Sequence, residues 1–192
     1  MITFTITFHG PFHVSTGMSE NGLDRTVDHT NLLPSSGLKG LMRAAASEEL
    51  ELVNELVDDI FGFGTRSNRR PDGVDSTSSP WWWSTPTFAS PAVVSTATRI
   101  RVDETTGATD RGFLMIGEHV WADSATFTVE PRVRMEPERR ALHELVLRAA
   151  ARAVTSLGGQ RRRGEGWVTI RDELDWSGAD SRTLLSHIKG AA

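Results

Sequence analysis

The 192-residue sequence predicts an α+β fold, an antiparallel sheet covered on one face by helices and carrying long inserted loops. Three observations predict it. Period-two alternation marks strands early, in the middle and late in the chain. Two long stretches carry helical spacing. The segments follow one another as strand, helix, several strands, long helix, strand.

The first strand is Ile2-Thr3-Phe4-Thr5-Ile6-Thr7-Phe8, with its apolar residues on one side and its threonines on the other. His9-Gly10-Pro11 ends it. Residues 15–33 are polar and rich in Gly, Ser, Asn and Asp, and read as a long inserted loop, which in a compact domain is usually functional or disordered. Leu38, Leu41, Met42 and Ala45 then share a helical face, with Ser35 or Ser36 as cap. Leu52, Leu56 and Ile60 continue the spacing until Phe61-Gly62-Phe63-Gly64 stops it. A second polar insertion covers about 64–80, its serine-rich part expected to be mobile.

Trp81 to Phe88 reads as a strand. Arg99–Val102 and Gly112–Ile116 read as two more, joined by the polar connection 103–110, and Ala125–Glu130 alternates again. The longest helix is expected from about Pro137, well placed in a first turn, to Leu157. Leu142, Leu145, Val146, Ala149, Ala153 and Val154 form its apolar face. Trp167–Ile170 is the last strand, and a short helix near Ser181–Ile188 follows. This order suits a ferredoxin-like or RRM-like core in a single domain, 1–192. The aromatic RNA-stacking signature of the RNA-recognition motif is missing, so RNA binding would use loops and backbone contacts.

Composition narrows the chemistry. The absence of cysteine excludes disulfides, thiolate metal sites and thiol catalysis, and fits a reducing compartment. The opening residues lack the basic start and apolar run of a signal peptide, and no window approaches a membrane span. A cytoplasmic protein with no membrane partner is expected. The net charge of −4 hides a segregation. Residues 44–59 carry six acids and no base, whereas 132–171 carry ten arginines against four glutamates.

Gly158-Gly159-Gln160-Arg161-Arg162-Arg163-Gly164-Glu165-Gly166 is the densest functional signal. Glycine lets a backbone approach a ligand closely, and arginine presents planar donors to phosphate oxygens. A tight turn with a solvated charge run is the plainer alternative. Lys39 and Arg43 lie four apart near a helix start, where backbone N–H groups also favour phosphate, though Arg43 could instead pair with an acid such as Glu48. His9, His13 and His29 invite an acid–base reading, with structural roles expected for His9 and His13. Alternation through Trp81-Trp82-Trp83 buries either Trp82 or its neighbours, and core packing is expected over base stacking.

Three separated segments resemble one family. Leu33-Pro34-Ser35-Ser36-Gly37-Leu38-Lys39-Gly40-Leu41-Met42-Arg43 resembles the "IPGSSLKGxxR" segment of the RAMP superfamily of CRISPR-associated proteins. Arg101 to Thr109, with Leu114 and Glu118-His119-Val120, resembles that family's central block, and Gly158–Gly166 is similar to its C-terminal glycine-rich loop. Val102-Asp103-Glu104 departs from the family's Ile-Asp-Arg. Gly37 stands where serine is frequent.

Within the superfamily the chain looks most like the repeated backbone subunit of type III effectors. That resemblance implies guide RNA and target RNA as partners, together with further copies of this chain and other CRISPR effector subunits. It also implies a ferredoxin-like core with a protruding hairpin, for which segment 64–80 is short and polar. Ser35, Ser36, Lys39, Arg43, Gly158, Gly159, Arg161, Arg162, Arg163 and Gly164 are the RNA-binding residues it implies. By the same resemblance Asp28 would cut target RNA with Mg2+ or another divalent cation, with Asp24 as second choice and no preformed metal site. A catalytically silent structural subunit, a guide-processing endoribonuclease using His13 or His29, and a small-molecule binder unrelated to RNA are the competing readings.

Overall fold

A computed structural model describes residues 1–19, 22–64 and 76–190. Its main sheet is antiparallel. Strand β1 (Ile2–Phe8) lies at the centre between β6 (Ser124–Pro131) and β7 (Val168–Asp172), and β6 pairs in turn with the short strands β2 (Trp81–Trp83) and β3 (Thr87–Phe88). Between β1 and β2 come helices α1 (Ser35–Ala44) and α2 (Asn54–Phe61). Helix α3 (Pro137–Ala153) joins β6 to β7, and α4 (Gly178–Leu185) follows. This is the βαββαβ ferredoxin-like order expected from the sequence. A long hairpin, β4 (Val93–Val102) and β5 (Thr109–Trp121), is inserted as a second sheet of its own.

The alternation of β1 fixes which face is covered. Phe4, Ile6 and Phe8 are buried, and Phe4 sits opposite Phe127 with the rings stacked at 5.2 Å. Thr5 and Thr7 are exposed, beside the partly or fully exposed Thr126, Ser124 and Thr169. Leu38, Met42, Val146, Leu147, Ala149 and Ala150 complete the core. The run Ala149-Ala150-Ala151 is buried throughout, because small side chains let α3 lie close to β7 and α1.

Several boundaries differ from expectation. The stretch 35–60 is not one helix. Residues Ala45–Glu49 widen into a π-turn, and Glu51 turns left-handed at φ 50°, so α2 starts afresh at Asn54. Pro34, not a serine, occupies the cap of α1, and no side chain caps it. Helix α3 ends at Ala153, where Val154 becomes extended. Helix α4 begins earlier than expected because Ser177 and Asp180 form a reciprocal capping box. The Trp81–Phe88 strand is split in two, with Trp81 and Trp83 buried and Trp82 44% exposed.

The protruding hairpin is built from 93–121, far longer than the two strands expected there. The central part of insertion 64–80, residues 65–75, lies outside the described residues. Among the described residues no helix is long and apolar enough to cross a membrane.

Candidate nucleic-acid interface

The root of the hairpin gathers two of the sequence motifs. The polar loop 15–33 is strapped along β5: the Glu118 N–H donates to the Arg25 carbonyl at 3.0 Å, and Asp24 accepts the Ile116 N–H at 2.8 Å through Oδ2. Asp24, the second-choice catalytic residue, is thereby engaged with the hairpin backbone. Farther along, Glu118 is 8% exposed and holds the next turn. Its Oε2 accepts the Val27 N–H at 2.9 Å, and its Oε1 lies 2.9 Å from Nε2 of His29. Burial pushes the Glu118 carboxyl up, but those two bonds and the nearby His13 outweigh it and hold it below the usual range.

Asp28, between Val27 and His29, is exposed. Its Oδ1 accepts from the Thr30 hydroxyl at 2.7 Å, the Thr30 N–H at 2.8 Å and the Asn31 N–H at 3.2 Å. The Thr30 hydroxyl first, then these backbone donors, lower its pKa. A carboxylate held ionised in this way is a weak general base near neutrality but a good partner for a cation. Its Oδ2 has no protein partner among the described residues. No cluster of three or more His, Asp or Glu side chains shaped for a metal occurs among them either. One exposed carboxylate with an open oxygen is the kind of ligand a hydrated divalent ion takes, whereas the described residues form no cage of protein ligands.

The glycine–arginine loop meets the same root through Arg99 and His119. It is closed by backbone bonds: Leu157 N–H to Gly166 O, Gly166 N–H to Pro11 O, and Gly159 N–H to His13 O, all at 2.8 Å. Gly158 and Gly166 both have φ 74°, and a Cβ on them would lie 2.3 Å from the His13 carbonyl oxygen and 1.9 Å from the Leu157 carbonyl oxygen. These two are glycine for packing. The N–H of Gly159 is committed to His13, while Gly164 faces open space. Residues Arg161–Arg163 form a 3-10 turn rather than an extended loop. The side chain of Arg162 lies outside the described residues.

Arg99 of β4 ties loop to hairpin. Its guanidinium forms an ion pair with the buried Glu165 and donates to Gln160 Oε1 at 2.9 Å. His119 Nδ1 stands 3.3 Å from the same carboxylate. Arg25 projects beside Gly159, and its own desolvation, then the charges of Arg99 and Arg163, lower its pKa. Neither Arg25 nor Arg163 has a carboxylate partner among the described residues. Arg99, Arg101, Arg163 and Asp24 line a hollow of about 840 Å³ with the apolar hairpin residues Ile100, Phe113, Leu114 and Met115. Like charges crowded at a solvent-facing hollow suit an anion.

Much of the basic region is used internally. Arg139 pairs with Asp59 and Arg140 with Glu144, while Arg148 and Arg152 both hold Asp172 at 2.6 Å and flank the Trp176 ring. Lys39 and Arg43 line a different hollow, with Ser36, Gly62 and Ser79. Arg43 is held by the Gly62 carbonyl and, at 2.6 Å, by Asp58 rather than Glu48. Lys39 lies over the Trp83 ring, its pKa lowered by burial and then by Arg43 and Arg132. Ser35 is half-buried and Ser36 exposed.

His13 is fully buried and donates from Nδ1 to the Glu118 carbonyl at 2.7 Å, and burial lowers its pKa. It cannot reach RNA in this state. Sequence reasoning missed Arg25, Arg99, Glu118 and Glu165. Glu118 and Arg99 stood in or beside the central block, but nothing in a linear pattern shows that they face the two loops.

No curated protein matches the chain. A chain of the type III-B Cmr-beta complex, solved by cryo-EM in the apo state, superposes with a TM-score of 0.67 at 14% identity, over 91% of this chain and 97% of that one. A chain of type III-B Cmr-beta bound to cognate target RNA gives 0.64 at 12% identity, over 89% and 96%. At such identities the likeness is one of fold. The RAMP superfamily model matches residues 5–169, so the chain that folds around this hairpin root belongs to the RAMP superfamily.

Proposed function

We propose that this chain is a guide-RNA-binding backbone subunit of a type III-like CRISPR effector and that it cuts target RNA at Asp28 with a divalent cation. The observation that carries the reading is the joint at the hairpin root. The crowded guanidiniums of Arg25, Arg99 and Arg163 and the ionised, exposed Asp28 sit in segments tied to the hairpin, the Asp28 loop to β5 through Glu118 and the glycine–arginine loop to β4 through Arg99. The fold likeness to chains of Cmr-beta complexes, one of them bound to target RNA, supports the same direction.

The roles divide by chemistry. Arg25 and Arg163 bind phosphate oxygens, and Arg99 supports them from its ion pair with Glu165. Lys39, in its own hollow with Ser36, offers a second phosphate contact, and Arg43 joins it only by leaving Asp58. Asp28 Oδ2 is the atom offered to Mg2+, and the ion would stabilise charge building on the scissile phosphate. The partners in this reading are guide and target RNA, further copies of the chain and other effector subunits.

Asp28→Ala in the assembled complex should leave assembly and RNA binding intact and abolish metal-dependent cutting. Unchanged cutting would overturn the catalytic half of the reading. The silent structural subunit is the alternative reading, and copurified RNA without cleavage of a complementary target by the wild-type complex would select it.

A further inference from the structure

We infer that Glu118, at the root of the hairpin, is the positioning residue of the Asp28 loop. The inference rests on the reading of Asp28 as the cutting residue. Glu118 holds both flanks of Asp28, with the Val27 N–H on one carboxylate oxygen and the His29 ring on the other, each at 2.9 Å. The bonds that Asp28 itself accepts come from Thr30 and Asn31, in the same turn, and move with it. The loop's location is therefore set from outside: Val27 and Leu33 are seated in the core, and the polar ties to β5 are made with Ile116 and Glu118.

Burial makes this contact determinate. The Glu118 side chain is about as enclosed as a core residue, and a buried carboxylate is costly unless its oxygens are bonded. Swinging the loop away would strand that charge. The Glu118 N–H and carbonyl are engaged as well, by the Arg25 carbonyl and by His13, so the residue has no slack of its own. The position of Asp28 relative to a bound phosphate thus follows the position of the hairpin root, and RNA lying along β4 and β5 acts on the cutting site through this side chain, beside the backbone ties at Asp24 and Arg25.

Glu118→Ala, Glu118→Gln, His29→Ala and Asp28→Ala, each assembled with guide RNA and the partner subunits, test it. Three quantities are read: single-turnover cutting, target-RNA affinity, and backbone amide exchange over residues 26–31. Misplacing a reacting group by about 1 Å costs on the order of 10²-fold in rate, so Glu118→Ala should slow cutting by roughly that factor while target affinity changes less than about twofold. Exchange over 26–31 should quicken. Glu118→Gln still accepts the Val27 N–H and should recover a substantial part of the lost rate.

Wild-type cutting by Glu118→Ala, or affinity falling as far as rate, overturns the inference. If Asp28→Ala cuts normally, the reading of Asp28 has failed instead, and exchange alone decides the clamp: unchanged exchange in Glu118→Ala overturns it. If Glu118→Ala does not assemble, His29→Ala, on a largely exposed ring, decides in the same way. Slower cutting with faster exchange supports the clamp; wild-type values for both overturn it.

Discussion

Trp81 donates its indole N–H to Nδ1 of His143 at 3.0 Å, and the other ring nitrogen of His143 lies 3.0 Å from Oδ2 of Asp59. The first bond requires Nδ1 to be free of a proton, so the imidazole is held neutral, with its proton on Nε2 facing Asp59. Burial pushes the His143 pKa down against the pull of Asp59. His13 and His119 are also pushed down, in each case chiefly by burial.

All three histidines make stability fall in acid. Above an ordinary histidine pKa of about 6.5 they are neutral folded and unfolded, and the difference vanishes. Below it the unfolded chain takes up protons that the fold refuses, so stability is lost as pH falls from about 6.5 toward 5. The carboxylates with lowered pKa values titrate below this window. Urea midpoints should therefore drop between pH 8 and pH 5, and His143→Gln should show a shallower drop. An unchanged midpoint across that range would contradict the buried neutral assignment.

Gly166→Ala should be among the most damaging small substitutions in the chain. Its Cβ would stand 1.9 Å from the Leu157 carbonyl oxygen, on a backbone at φ 74°. Gly164→Ala, at φ 83° with open space around it, carries only the conformational cost of about 1–2 kcal/mol. Thermal melts of the two variants should differ clearly, with Gly166→Ala the lower.

Arg25→Gln and Arg163→Gln should separate binding from stability. Each removes one of three neighbouring like charges, so neither should lower the melting temperature. Each should weaken RNA binding and reduce the slope of log affinity against log salt by about one. An unchanged slope would exclude a phosphate contact at that residue.

Trp81→Ala should cost about 3–5 kcal/mol, because it leaves a core cavity and strips His143 of its donor. Trp82→Ala, on the exposed face of the same short strand, should cost little. Comparing the two by urea denaturation checks the alternation directly, and equal losses would contradict it.

The core was legible because it obeys local periods. The alternation Phe4, Ile6, Phe8 and the stripe Leu38, Met42 report which face is buried, and the structure buries those residues. The break at Glu51 was not legible, since Leu38, Leu41, Met42 and Ala45 before it and Leu52, Leu56 and Ile60 after it all keep helical spacing, and a π-turn leaves no mark in hydrophobic period. The site was half legible. Asp28 and the glycine–arginine loop stand out as motifs, yet Arg25 sits in a polar loop and Arg99 within a strand of the hairpin, and only tertiary folding sets them beside Arg163 and Glu165. Arg43 reads as a phosphate contact in the sequence, while its tie to Asp58 depends on α2 turning back across α1.

The closure of the glycine–arginine loop bears on the thermodynamics of whatever it grips. Its ends are stitched to Pro11, His13 and Leu157 before any ligand arrives, so most of the chain entropy of ordering it is already lost when the protein folds. A polyanion arriving there meets a clasp rather than a tether, and little disorder remains to be removed on docking. Calorimetry of wild-type binding should accordingly show a small heat-capacity change from this segment. In a chain whose stitch at Gly166 is cut, weaker affinity should come with a larger entropic penalty.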